Sequence, residues 1–256
     1  MLSGWPRREV LADQVAVGAA LAVVATAVVA TSPSRAIAHE TGAAIPGMAI
    51  LAFLTLCLFA TVEMLDRWWR VDREWTRKLA HVGAGLIALL APLLFLTPWP
   101  MLILTASFAG LLLASRRIGI LAPLHPRGRR GEGDLVYAAG LYAAFALAND
   151  TRSFQIAVLI LALADPAAAL AGQAFGRRRF RAFATTRSLE GSLAFAAVAV
   201  VIAVALLGSA GLPLGAVLVR AIVLAAATAL VEAMSPAGLD NLTIPLVAIL
   251  VLQLLG

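Results

Sequence analysis

The sequence predicts an all-α, polytopic membrane protein of about nine transmembrane helices, with its N-terminus inside and its C-terminus outside. Three observations carry this. The 256 residues are 62% hydrophobic and 13% charged, against ~25% charged in an ordinary soluble domain. Apolar runs of membrane-crossing length recur between clusters of charge. Finally, seventeen of the 20 Lys and Arg fall on connections that would share the inner face, Arg35 and Arg152 fall on the outer ones, and Arg220 lies inside a span. That asymmetry sets the orientation.

In chain order the runs lie near 11–31, 44–65, 79–96, 99–115, 134–149, 153–175, 190–208, 213–233 and 240–255. The first could be a signal peptide, since Arg7-Arg8 precede it and Ala36-Ile-Ala38 resembles a cleavage site. Its apolar core is long for a signal and the site lies well past its end, so an uncleaved helix is expected. The outer connections, around Pro98 and Pro100, at Asn149–Arg152 and at Gly208–Pro213, are short and mostly rich in Gly or Pro, which turn the chain back. The long connections 63–78, 116–133 and 176–189 are all inner, so function is sought on that face. The whole chain, 1–256, reads as one membrane domain, and no internal repeat stands out. A net charge of +6 and a pI near 10.9 follow from topology, so no nucleic-acid partner is expected. The lone Cys57 supports neither a disulfide framework nor a cysteine metal site.

Four stations could carry chemistry. At the start of the third run, Arg77, His81 and Gly85 repeat every four residues on one helix face, with Lys78 beside them, which suits phosphate contact or proton handling. In the sixth run, Asp165 falls ~16 Å from the helix end at Gly176, and a carboxylate at membrane depth demands a partner. Pro166, Gly172 and Gly176 follow it, so an interrupted helix beside a wet, metal-holding cavity is expected, with an ion pair to Arg220 as the rival. Arg187-Ser188-Leu-Glu190-Gly191-Ser192 opens the next run, where hydroxyls and free N–H groups at a helix start could cradle a phosphate. The last hairpin carries Glu232, Asp240 and Asn241, hard oxygen ligands of the kind Mg²⁺ takes. Tyr137 and Asp134, opening the fifth run, read as an interfacial aromatic and a helix cap.

In this order, Arg77-Lys78-x-x-His81-x-x-x-Gly85, Asp165-Pro-Ala-Ala-Ala-x-x-Gly172-x-x-x-Gly176, Arg187-Ser188-Leu-Glu190-Gly191-Ser192 and Asp240-Asn241-Leu-x-x-Pro245 resemble the family of CTP-dependent polyprenol kinases. That family comprises phytol, farnesol and dolichol kinases, and is similar to the phosphatidate cytidylyltransferases. The likeness extends over about 63–245. It implies transfer of the γ-phosphate of CTP, drawn from the cytoplasm, to the hydroxyl of an isoprenoid alcohol dissolved in the membrane. On that reading Asp165, Asp240 and Glu190 hold Mg²⁺, while Arg187, Ser188, Glu190, Gly191 and Ser192, helped by Arg77 and Lys78, hold the nucleotide. His81 or Asp165 takes the alcohol proton. The rivals are a cytidylyltransferase on the same nucleotide site, a CTP-dependent diacylglycerol kinase, and an anion transporter. Chain length of the alcohol and oligomeric state stay open.

Overall fold

A computed structural model describes residues 44–122, 124–125, 133–182, 185–236 and 238–256. The expected first span at 11–31, the residues 36–38 and the basic stretch 127–132 lie outside the described residues. Eight helices follow: α1 (Ala44–Arg67), α2 (Arg73–Leu94, turning at Leu89 and Leu90), α3 (Trp99–Ile118), α4 (Gly133–Leu147), α5 (Thr151–Phe175), α6 (Leu189–Gly208), α7 (Leu214–Met234) and α8 (Asp240–Leu255). They match the eight expected spans from 44–65 onward. Six of them, all but α4 and α8, are long and apolar enough to cross a membrane. α4 and α8 have 15 and 16 residues, about 22–24 Å of helix against a hydrocarbon core of ~30 Å.

The boundaries are set by local chemistry. Asp72 caps α2 by accepting from the Glu74 N–H at 2.7 Å, and Asp150 caps α5 by accepting from the Arg152 and Ser153 N–H groups at 2.8 and 3.0 Å. Arg116 and Arg117 fill the last turn of α3, which stops at Gly119 with φ of 73°.

The bundle is built around α5, of whose most apolar 18-residue window 83% is buried; the corresponding share is 28–39% in the other long helices. Their remaining apolar faces, with Ile45, Phe53 and Leu214 among the most exposed side chains, are left uncovered by the bundle. α6 packs on α5 and on α7, α8 on α4 and α7, and α1 on α2. Close approach of α5 and α6 depends on glycine: a Cβ at Gly191 would stand 2.8 Å from the Ala168 carbonyl oxygen, and one at Gly172 2.8 Å from Ser188 Oγ.

One element departs from the all-α expectation. Within the connection 176–189, β1 (Arg179–Ala182) pairs antiparallel with β2 (Thr185–Ser188), with Phe180 opposite Arg187. The Arg-Phe-Arg and Thr-Thr-Arg runs alternate and contain β-branched and aromatic residues, which favours a hairpin over a loose basic loop. The three long connections meet at one end of the bundle. Glu63 accepts from the Leu121 N–H at 2.9 Å, Gln173 donates to Glu74, and Arg187 reaches Asp240.

Candidate functional site

Pro166 has no N–H, so regular helical bonding cannot run through it. The chain answers with a π-turn over Ile160–Ala164 that leads directly into Asp165. The expected interruption is therefore a widened turn in a continuous helix, a feature frequent at functional sites. Five residues before Pro166, the partner that a π-turn would assign to it, is the Leu161 carbonyl. His81 Nε2 lies 3.0 Å from that oxygen. A carbonyl only accepts, so Nε2 is the donor and the lone pair of neutral His81 belongs to Nδ1.

Asp165 Oδ2 lies 3.9 Å from the same Nε2, so the side chain facing this carboxylate is the His81 imidazole, where Arg220 was the rival. Behind His81 the Tyr137 ring packs at 4.3 Å, and its hydroxyl donates to the His81 carbonyl at 2.7 Å. Tyr137 is thus a buried brace for the histidine, where the sequence had suggested an interfacial aromatic. Gly85 makes the crossing possible: a Cβ there would collide with Ala162 of the π-turn and stand 2.9 Å from the Tyr137 hydroxyl.

On the facing side, β2 delivers Arg187 into a pair of acids. Its Nη1 lies 2.9 Å from Glu232 Oε1 and its Nη2 2.8 Å from Asp240 Oδ2. Burial works against the Arg187 charge, but the carboxylates of Glu232 and Asp240 outweigh it and hold its pKa above the ordinary arginine value. Asn241 fixes the start of α8 by donating to the Gly133 carbonyl at 2.8 Å, and Gly140 leaves room for the Asn241 backbone. Glu232, only 2% exposed, is the site residue whose weight the sequence underplayed. Its one signal was an acid in an apolar run eight residues before Asp240.

Two cavities meet at Arg187. The larger, about 570 Å³, has a polar end formed by Arg77, Lys78, His81, Asp165, Arg187 and Asp240. From there it runs between Leu112, Phe108, Leu104 and Met101 of α3 toward Leu51 and Ala88. Eleven residues of helix from Leu112 to Met101 give it a depth of ~16 Å. Lys78 sits at its rim, paired with Glu74 at 3.1 Å. Asp134, paired with Arg116 at 2.6 Å and facing His125 Nδ1 at 3.4 Å, borders the same cavity. It tethers the α3–α4 connection as well as opening a helix. The smaller cavity, about 330 Å³, is lined by Gly172, Gln173, Arg179, Thr186, Arg187, Ser188, Gly191, Ser192 and Glu232. Arg187, Thr186 and Ala169 border both.

The structure thus brings together Arg77, Lys78, His81, Asp165, Arg187 and Asp240 around the first cavity, and Arg187, Ser188, Gly191 and Ser192 around the second. Glu190 lines neither: its carboxylate accepts from the Arg178 N–H at 3.2 and 3.3 Å and clamps the hairpin. The cradle of free N–H groups is also different from expectation. The Gly191 N–H is taken by Ser188 Oγ at 3.1 Å and the Leu189 N–H by the Arg178 carbonyl at 2.9 Å. What faces the second cavity is therefore side-chain chemistry, with buried Arg187 Nε, Ser192 Oγ and Glu232 Oε2 lacking hydrogen-bond partners.

Among the described residues no three of His, Cys, Asp and Glu are grouped as a protein-only metal cage. Mg²⁺ does not need one, since it keeps waters and binds through one or two carboxylates plus substrate phosphates. An orphaned, buried carboxylate oxygen bordering a polar cavity fits such a cation.

Fold and site together define a polytopic helical membrane protein with an apolar cavity that ends on a buried cluster of histidine, acids and arginine. The chain is 35% identical over 189 residues to a phytol kinase of Synechocystis sp., a match covering 73% of this chain and 81% of that protein. It belongs to the phytol kinase family of polyprenol kinases. No family model matches the chain, and no solved structure matches it.

Proposed function

We propose that this protein is a CTP-dependent kinase that transfers the γ-phosphate to the hydroxyl of a prenyl alcohol held in the bilayer, working at the cytoplasmic face. The observation that carries the reading is the meeting at Arg187 of a long apolar cavity with a small polar one, in a chain of the phytol kinase family. An alcohol chain fits the first, its hydroxyl at the His81 and Asp165 end. The phosphates fit the second, beside Arg179, Arg187 and Ser192. At about 30 Å³ of liquid volume per water-sized group, 570 Å³ takes roughly twenty such groups, which favours an alcohol of moderate length over a long polyprenol. The cytoplasmic placement rests on the positive-inside bias, which puts the end bearing Arg77, Lys78, Arg116 and the hairpin arginines inside.

In this reading Asp165 accepts the alcohol proton as the hydroxyl oxygen bonds to the γ-phosphorus. The bond from that phosphorus to the bridging oxygen breaks, and CDP leaves. His81, with Nε2–H held on the Leu161 carbonyl, positions the proline-capped turn that presents Asp165. Arg187 and Arg179 stabilise phosphate charge, and the apolar walls of the first cavity exclude water from the acceptor. Glu232 or Asp240 or both would hold Mg²⁺, which would supply neutralisation of phosphate charge.

The test is purified protein with γ-labelled CTP and a panel of alcohols from geraniol through phytol to dolichol, plus diacylglycerol. Label on a prenyl alcohol, with CDP as co-product, is expected. Pyrophosphate release would move the protein to cytidylyl transfer, label on diacylglycerol to a glycerolipid kinase, and solute flux without nucleotide turnover to a transporter.

A further inference from the structure

The second cavity contains a feature that kinase family membership leaves unassigned. Glu232 sits near the end of α7 at 2% exposure, and a carboxylate buried there is costly unless its charge is answered. Only half of it is. Oε1 takes Arg187 at 2.9 Å, but the same guanidinium also serves Asp240, and Oε2 has no hydrogen-bond partner. Ser192 Oγ, bordering the same cavity, is likewise buried and unpartnered. With its guanidinium neighbour shared with Asp240, Glu232 keeps one carboxylate oxygen unused, and the cavity it borders holds a second unused oxygen on Ser192. Thr186 and Ser188 add hydroxyls to the lining, while Arg179 and Arg187 supply charge suited to phosphate.

We propose that Glu232 is the carboxylate that holds the divalent cation accompanying the nucleotide, inside the 330 Å³ cavity, and that Glu190 has no part in it. The nucleotide half of this statement rests on the kinase reading; the cation half rests on Glu232 itself. A hard cation takes an oxygen ligand such as Glu232 Oε2, with Ser192 Oγ as a neutral neighbour, and completes its shell with water and phosphate oxygens. Glu190 is excluded because its carboxylate already clamps the Arg178 N–H outside both cavities.

The experiment measures Mn²⁺ binding by electron paramagnetic resonance on full-length protein in lipid nanodiscs, with and without CTP. Glu232→Gln is expected to weaken Mn²⁺ affinity about tenfold or more, since even outer-shell changes cost metal sites 10–100-fold, while Glu190→Gln changes it less than about twofold. Arg187→Gln removes a competing positive charge, so without CTP it is expected to tighten Mn²⁺ binding and to gain more melting temperature from Mn²⁺ than the parent does. If Glu232→Gln fails to fold, Arg187→Gln combined with Asp240→Asn decides the matter, because the tightening persists without the Asp240 carboxylate only if Glu232 holds the ion. The proposal is overturned if Glu232→Gln binds Mn²⁺ like the parent, if Glu190→Gln loses it equally, if Arg187→Gln weakens it, or if the parent binds none. A parent that binds Mn²⁺ through Glu232 but transfers no phosphate from CTP overturns the kinase reading and leaves the cation site standing.

Discussion

At the scale of single residues, the hydrogen bond from His81 Nε2 to the Leu161 carbonyl is what, in the proposed reaction, leaves the alcohol proton to Asp165. Glutamine can place an amide N–H near the position of Nε2 but has no basic nitrogen. His81→Gln is therefore expected to keep kcat within about tenfold of the parent, whereas His81→Ala should lose far more. Loss of a general base would cost ~10²–10⁴-fold in both variants, so equal, large losses in a labelled-CTP assay would return the base role to His81. Asp165→Asn keeps shape and removes the charge; it should cost at least ~10²-fold in kcat while the protein remains folded and in the membrane. Both residues were legible in the sequence because a histidine beside cations and a carboxylate in an apolar run need a reason. The contact of His81 with the Leu161 carbonyl was not, since the two lie 80 residues apart. Glu232 was named in the sequence as one oxygen ligand of the last hairpin, but its burial and its pairing with Arg187, which Asp240 shares, were not legible there.

Among the elements, α5 owes its shape to one proline. Pro166→Ala restores an N–H in mid-helix, where proline is ~3 kcal/mol less favourable than alanine. That N–H competes for the carbonyls of the π-turn and weakens the hold of His81 on Leu161. The expected outcome is an equal or higher melting temperature together with a kcat lowered by at least ~10-fold, as small misplacements near reacting groups do; a fall in both would point to a purely structural proline. Gly191 makes the opposite test. Alanine there puts a Cβ 2.8 Å from the Ala168 carbonyl oxygen, so α6 must move off α5, at a cost of ~1–3 kcal/mol. A thermal melt of Gly191→Ala should show that loss. The eight described helices were readable from apolar runs because lipid imposes length and composition on a span. The β-hairpin was not, because five arginines within 177–187 read as a solvated loop, while the alternation that pairs Phe180 with Arg187 spans only four residues per strand.

For the whole molecule, the long cavity is the feature that no stretch of sequence announces. Its walls come from α1, α2, α3 and α4, through residues such as Leu51, Ile87, Met101 and Leu141, each unremarkable in its own apolar run. Only the packing around α5 leaves space between them. If the cavity holds the alcohol chain, the side chains at the end remote from the charge cluster set how much of that chain it takes. Met101, 4% exposed, lies toward the end remote from the charge cluster. Met101→Trp fills that end without touching Arg77, His81, Asp165 or Arg187. The KM for phytol should then rise at least ~10-fold, the cost of roughly 1.4 kcal/mol of lost apolar burial, while the KM for geraniol and kcat for both alcohols stay near the parent values. A uniform loss across the panel would mean that the tryptophan had disturbed the bundle, and an unchanged phytol KM would mean that the chain lies along the outer, lipid-facing surface. A shift confined to the longer alcohol ties chain selection to the apolar end of this cavity and phosphate transfer to its polar end, so that length is read ~16 Å away from the reacting hydroxyl.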